Sequence, residues 1–163
     1  MPTKISRLAD FMPYLLSVTS NAVSGRISDE YNARFGLRIP EWRVMAVLGD
    51  AGSLTQRQLV GATLMDKVAV NRACKLLEER GLACRSPNQR DGRSHHLELT
   101  AQGRVVHGQI MPIALEMQER VFSPLDVAER AQFKALLDRI RVHVRLMDGG
   151  TDGFDDGMED GPE

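Results

Sequence analysis

The 163-residue sequence predicts a mainly α fold with one small β-wing: a winged helix-turn-helix lobe held between N- and C-terminal dimerisation helices. Three observations carry this. Between Leu54 and Leu82 two short helical periodicities are separated by a turn; two strand-like segments around Asp91-Gly92 follow at once; and long apolar stripes at helical spacing occupy both ends of the chain. The expected segments are 1–36 for the N-terminal dimerisation helix, 37–104 for the winged lobe, 105–147 for the C-terminal dimerisation helices and 148–163 for a disordered acidic tail.

From about Ile5 to Arg34, Phe11, Leu15, Val18 and Ala22 recur at steps of four, three and four, which is one apolar face of a long helix. Pro13 falls near its start, or kinks it, and Gly36 breaks it. Pro40 suits a first helical position, and Glu41 complements the dipole of a second helix whose apolar residues are Trp42, Val44, Met45 and Leu48. Thr55 and Gln58 have capping-box spacing, so a third helix starts at about Thr55. Asp66 is the expected cap of a fourth, whose Val70, Ala73, Cys74 and Leu77 form an inward stripe. Gly81 stops that helix. The hairpin arms are Leu82–Arg85 and His95–Leu99. Beyond them Thr100 caps a helix whose buried side is Val106, Ile110, Ile113, Met117 and Val121, with a kink expected at Pro112. Asp126 and Glu129 form a second capping box, opening a last helix lined by Phe133, Leu136, Leu137, Ile140, Val144 and Met147.

Charge is distributed unevenly. The whole chain has 21 basic and 22 acidic residues, but the segment from Asp148 holds seven acids and no base, leaving 21 against 15 for residues 1–147. The near-neutral total conceals a basic body. From Ser53 to Arg104 nine Lys/Arg stand against five Asp/Glu. A charge run alone is usually a solvated face; in this element order it points to double-stranded DNA. A fourth helix with Lys67, Asn71, Arg72 and Lys75 outward and Ala69 among them suits a major groove, where Asn pairs with adenine, Arg with guanine and Lys meets phosphate. Thr55 and Gln56 open the helix before it, and Arg90 and Arg93 at the wing tip suit a minor groove, with Asp91 placed to hold the Arg93 guanidinium.

The run RDGRSHHLELTAQG resembles the wing signature of the MarR family of bacterial transcriptional regulators, with Asp91, Arg93, Leu99, Thr100 and Gly103 at its positions. LLEERGL likewise resembles the end of that family's recognition helix, and the resemblance spans about residues 8–147. One departure is Asp66-Lys67, where many members have Ser-Arg. The resemblance implies a homodimer that reads an inverted-repeat operator and an effector pocket between the dimer helices and the DNA-binding lobe. RFGLRIPEWRVMAVL further resembles the branch controlling degradation of plant-derived aromatic acids, including hydroxycinnamates and their coenzyme A thioesters. On that reading Arg43 binds an anionic aromatic effector, Ser17, Asn21 and Ser24 are polar partners, and Trp42 or Tyr14 supplies a ring contact. The plainer alternative for Arg43 is a stem laid on the core and a head paired with an acid.

Other classes find little support. Cys74 and Cys84 are expected as core thiols rather than a disulfide or sensor. In the resembled family, members that sense oxidants through cysteine carry the thiol in the first helix, where this chain has none. His95 and His96 are adjacent on a strand and point to opposite faces, so they do not chelate one metal. Neither a nucleoside-phosphate loop nor a catalytic triad can be picked out, so no enzyme, metal or cofactor is expected. No run approaches the ~20 apolar residues of a membrane span, and a cytoplasmic protein is expected. The rivals are a winged-helix protein-interaction module that does not touch DNA, told apart by salt-dependent DNA affinity, and a small enzyme using its histidines or cysteines. The acidic tail either solubilises the chain or competes with DNA for the basic face.

Overall fold

The structure is a computed structural model, and it describes residues 7–88, 90 and 92–147. The chain divides into two compact units, Met1–Val121 and Phe122–Glu163.

In the first unit a 3-10 turn, Leu8–Asp10, leads into α1, Met12–Phe35. The first helix therefore begins later than the expected Ile5, and residues 5 and 6 lie outside the described ones. Pro13 sets that start: its ring suits the first turn, where its missing N–H has no partner to lose. α2, Ile39–Ala51, begins in the same way with Pro40. Glu41 does more than complement the helix dipole. Its carboxylate accepts the Arg38 backbone N–H at 2.7 Å and is buried, 3% exposed.

α3, Gln56–Thr63, carries the predicted capping box. The Thr55 backbone N–H donates to Gln58 Oε1 at 2.9 Å, and the Gln58 N–H donates to Thr55 Oγ1 at 3.2 Å. α4, Lys67–Glu79, is capped by Asp66, whose Oδ1 accepts the Ala69 N–H at 2.8 Å. Its inward stripe Val70, Ala73, Cys74 and Leu77 is buried, as the spacing predicts, with Leu59 of α3 and Val44, Met45 and Leu48 of α2. Each such aliphatic side chain contributes about 1.5–3 kcal/mol by leaving water. α4 ends at Gly81, at φ 69° in the left-handed region that glycine enters without penalty. The Gly81 N–H donates to Glu78 O at 2.9 Å and the Leu82 N–H to Leu77 O at 2.8 Å, a Schellman closure.

The wing is a three-stranded antiparallel sheet rather than a two-stranded hairpin. β1 is Leu54–Thr55, β2 Ala83–Pro87 and β3 His95–Leu99, in the order β1-β3-β2. The two-residue β1 pairs Leu54 with Leu97 and Thr55 with His96, too short a segment to give an alternation in the sequence. β2 starts one residue after the expected Leu82, and its register sets Ala83 opposite Leu99 and Pro87 opposite His95. β2 also runs two residues beyond the expected Arg85, to Pro87, so the strands extend further towards the tip. The Asn88 N–H donates to Ser94 O at 3.0 Å and Asn88 Nδ2 to Ser94 Oγ at 2.8 Å, closing the loop from Asn88 to Ser94.

α5, Ala101–Val121, runs continuously through Pro112 and buries Gly103, Ile110 and Met117. In the second unit α6, Val127–Met147, starts at the predicted box, Asp126 N–H to Glu129 Oε2 at 2.9 Å and Glu129 N–H to Asp126 Oδ1 at 2.8 Å. None of its residues is buried, and Phe133, Leu136, Ile140, Val144 and Met147 are exposed. The expected acidic tail, residues 148–163, lies outside the described residues. No helix among the described residues is long and apolar enough to cross a membrane.

Candidate nucleic-acid interface

The face of α4 turned away from the core carries Lys67, Asn71, Arg72 and Lys75, all exposed, while Ala69 at its edge is half-buried. The Asp66 cap holds the first turn in place, so these side chains leave a fixed backbone. Exposed Arg57 on α3 adds a cation that the sequence reading passed over. Thr55 is committed to the α3 cap on both sides of its hydroxyl, which also lies 3.1 Å from Gln58 Oε1. Thr55 therefore positions α3, and Gln56, half-buried at the first position of that helix, is the residue beside it. At the wing tip Arg90 and Arg93 are exposed, and the Arg90 N–H donates to Asn88 Oδ1 at 3.0 Å. Asp91, read as the residue steadying Arg93, lies outside the described residues.

The wing signature acquires a structural meaning. Thr100 Oγ1 donates to Gly81 O at 2.6 Å and accepts the Gly103 N–H at 3.0 Å, so one hydroxyl ties the end of α4 to the start of α5. The Thr100 N–H reaches Leu82 O at 3.1 Å. Gly103 lies against that same carbonyl: a Cβ there would stand 1.9 Å from Leu82 O. The Leu-Thr and Gly spacing therefore locks α4, the wing and α5 into one piece. Arg80 adds a second lock, donating from Nη2 to Phe35 O at 2.6 Å and from Nη1 to Gly36 O at 3.3 Å, so the far end of α4 is held to the end of α1. Short sequence patterns carry no signal for that contact, which spans more than forty residues.

The residues proposed for an effector separate into two groups. Arg43 is exposed on α2 and has no ion pair among the described residues. Its charge lies close enough to Tyr31 to act on that phenol, whose pKa burial nevertheless pushes up to about 12. Tyr31 packs its ring against Trp42: it is 2% exposed, with ring centroids 5.6 Å apart. His107 of α5 also stacks on Trp42, at 5.8 Å. Neither Tyr31 nor His107 was legible as a partner, because each belongs to a different helix. Ser24, Asn21, Ser17 and Tyr14 are on α1 roughly 10, 15, 21 and 25 Å along the helix axis from Tyr31 at ~1.5 Å per residue. Tyr14, Ser17 and Asn21 are exposed and Ser24 half-buried. One chain thus brings Ser24 nearest the ring cluster and leaves Tyr14 and Ser17 well along α1.

The thiols differ from one another. Cys74 is buried in the α4 stripe, and burial pushes its pKa up to about 11. Cys84 is exposed on β2 rather than in the core, because the register with Glu98 turns it outward. No three His, Cys, Asp or Glu side chains among the described residues are grouped to hold a metal ion.

A family model described as MarR family matches residues 35–94. The HTH-type transcriptional regulator PecS of Dickeya dadantii is 26% identical over 141 residues, covering 83% of this chain and 85% of that protein. The HTH-type transcriptional repressor Rv2887 of Mycobacterium tuberculosis is 26% identical over 135 residues, covering 82% and 96%. Among solved structures, a probable transcriptional regulator from Pseudomonas aeruginosa has a TM-score of 0.74 at 27% identity, covering 82% of this chain and 99% of that one. These similar proteins are transcriptional regulators, not enzymes.

Proposed function

We propose that this chain is a winged-helix transcriptional regulator of the MarR family, and a homodimeric repressor which a small ligand releases from DNA; the family match over residues 35–94 and the similar regulators support the reading. The observation that carries the proposal is α4: one stripe is sealed in the core and the other presents Lys67, Asn71, Arg72 and Lys75 beside an arginine-tipped wing. Asn71 and Arg72 read base edges, Lys67 and Lys75 meet phosphates, and Arg90 and Arg93 enter the minor groove. The apolar residues Phe11, Leu15 and Val18 of α1, and those of α6, are exposed in the single chain. A second copy covers them. Twofold symmetry then sets two recognition helices about one DNA turn apart, roughly 10 base pairs, and the operator is an inverted repeat. The protein acts in the cytoplasm.

The effector is a small anionic aromatic compound, a hydroxycinnamate-like acid or its coenzyme A thioester, and the regulated genes serve aromatic-compound catabolism. Among the described residues Arg43 has no carboxylate partner, and its charge acts on Tyr31, one ring of the Tyr31–Trp42–His107 cluster. A bound carboxylate at Arg43 favours a dimer whose recognition helices are wrongly spaced, by no more than its preference for that state.

Fluorescence anisotropy on DNA from upstream of the protein's own gene, across several salt concentrations, tests both halves. Tight binding that weakens with salt and is relieved by a hydroxycinnamate or its thioester is the expected result, and Lys75→Ala, which removes one phosphate contact from each protomer of the dimer, should reduce the slope of log K against log salt by about 1.8. Binding that no such ligand relieves removes the aromatic assignment. No specific binding at any salt moves the protein-interaction reading to the front.

A further inference from the structure

Val68 is the apolar residue on an otherwise polar face. Val68, Asn71, Arg72 and Lys75 stand at i, i+3, i+4 and i+7 and so form one stripe of α4. On the opposite side Val70, Ala73, Cys74 and Leu77 are buried, whereas Val68 is 59% exposed. It is the second residue of a helix whose first turn Asp66 caps at Ala69, so its backbone is fixed. A β-branched side chain in a helix is held in one χ1 rotamer about 90% of the time, so its two methyls point in a set direction. On the major-groove edge of B-DNA the one methyl group is the 5-methyl of thymine; apart from the small C5–H of cytosine, the other features are donors or acceptors. A fixed isopropyl group between base-reading side chains has that single partner available.

We propose that Val68 is a specificity-determining residue that selects a thymine in each half-site by packing on its 5-methyl group. The inference rests on the DNA-reading role given above and adds to it a base that Asn71 and Arg72 do not specify. Duplexes enriched by the full-length protein from a randomised library supply the site, and each thymine in it is then replaced in turn by deoxyuridine, which keeps the pairing edge and the O4 acceptor and removes only the methyl. At one position per half-site, loss of the methyl should weaken the wild-type protein about fourfold, and about fifteenfold when both half-sites are changed. Val68→Ser, a change at an exposed position, should bind more weakly and no longer distinguish thymine from deoxyuridine there. Equal wild-type affinity for thymine and deoxyuridine at every position overturns the inference while leaving DNA binding intact. Retention of the full discrimination by Val68→Ser also overturns it, and failure to enrich any duplex overturns the DNA-reading role together with it.

Discussion

Replacing Gly103 by alanine should destabilise the protein, although the same change elsewhere in a helix does the opposite. The added methyl would lie 1.9 Å from Leu82 O and 2.9 Å from Leu82 C, whereas ordinary contact begins at 3.4 Å. The obstacle is backbone, so no side chain can rotate away. The carbonyl must retreat by roughly 1.5 Å, the difference between the first and last of those distances, and overpacking of that kind costs about 1–3 kcal/mol. Leu82 O also accepts the Thr100 N–H at 3.1 Å, and losing that bond costs about 1 kcal/mol more. Against this stands the helical preference for alanine over glycine, at most about 1 kcal/mol. The net expectation is a loss of about 1–3 kcal/mol. Gly61 in α3 supplies the control: its Cβ would meet nothing within 4 Å, so Gly61→Ala should gain about 0.5–1 kcal/mol. Urea unfolding followed by circular dichroism, at one fixed protomer concentration because the stability of the proposed dimer depends on it, measures both. A Gly103→Ala protein as stable as the wild type would refute the reasoning that the wing signature's glycine is a packing requirement.

Two further changes follow from the same structure. Leu64 sits at φ 53°, left-handed for a non-glycine residue, with 72% of its surface exposed. Leu64→Gly removes about 1–2 kcal/mol of backbone strain and restores up to about 1 kcal/mol of chain entropy, so a small gain is expected, visible as a melting point up to a few degrees higher. The thiols should separate in an aromatic disulfide assay near pH 8: Cys84 reacts at once and Cys74 only on unfolding, and Cys84→Ser abolishes the fast phase. Burial raises the Cys74 thiol from 9.0 to about 11, so the stability it contributes is whole below pH 9 and is lost as pH climbs towards 11. The unfolding midpoint should fall over that window, and by less in Cys74→Val.

The caps were the most legible part of the fold, because a capping box needs only two residues at a fixed spacing and both are local. Thr55–Gln58 and Asp126–Glu129 form as read, as does the Asp66 cap. The inward stripe of α4 was legible for a similar reason, since a 3.6-residue period has few other causes. What escaped was non-local or very short. β1 is two residues long and exists only through its pairing with β3. Cys84 looked like a core thiol because the register that turns it outward is set by the partner strand. The outward face of α4 was read for its charges, which hid Val68, although the i, i+3, i+4, i+7 count from Val68 to Lys75 would have found it. The Tyr31–Trp42–His107 cluster joins three helices and has no sequence spacing at all.

Arg80 shows why counting cations on the DNA-binding lobe overstates its contacts with phosphate. It lies just after α4, is exposed, and belongs to the basic excess that marks the lobe, yet both its Nη nitrogens donate to the terminal carbonyls of α1 at Phe35 and Gly36. A cation at a helix C-terminus both satisfies orphan carbonyls and complements the dipole. Two outcomes separate the roles. If Arg80 positions α4, Arg80→Ala costs about 1–3 kcal/mol of stability through its charge-assisted hydrogen bonds and weakens DNA binding, with the salt slope unchanged because no phosphate contact is lost. If Arg80 instead meets phosphate, the slope falls by about 1.8, two contacts per dimer, while stability stays near that of the wild type. The geometry predicts the first. The same contact joins α4 to α1, and Thr100 joins it to α5, so any rearrangement of those two long helices is transmitted to the recognition helix through two short hydrogen-bonded joints. Arg80→Ala should accordingly blunt the response to an effector more than it weakens DNA binding itself, and an unblunted response would show that Thr100 and Gly103 carry the coupling alone.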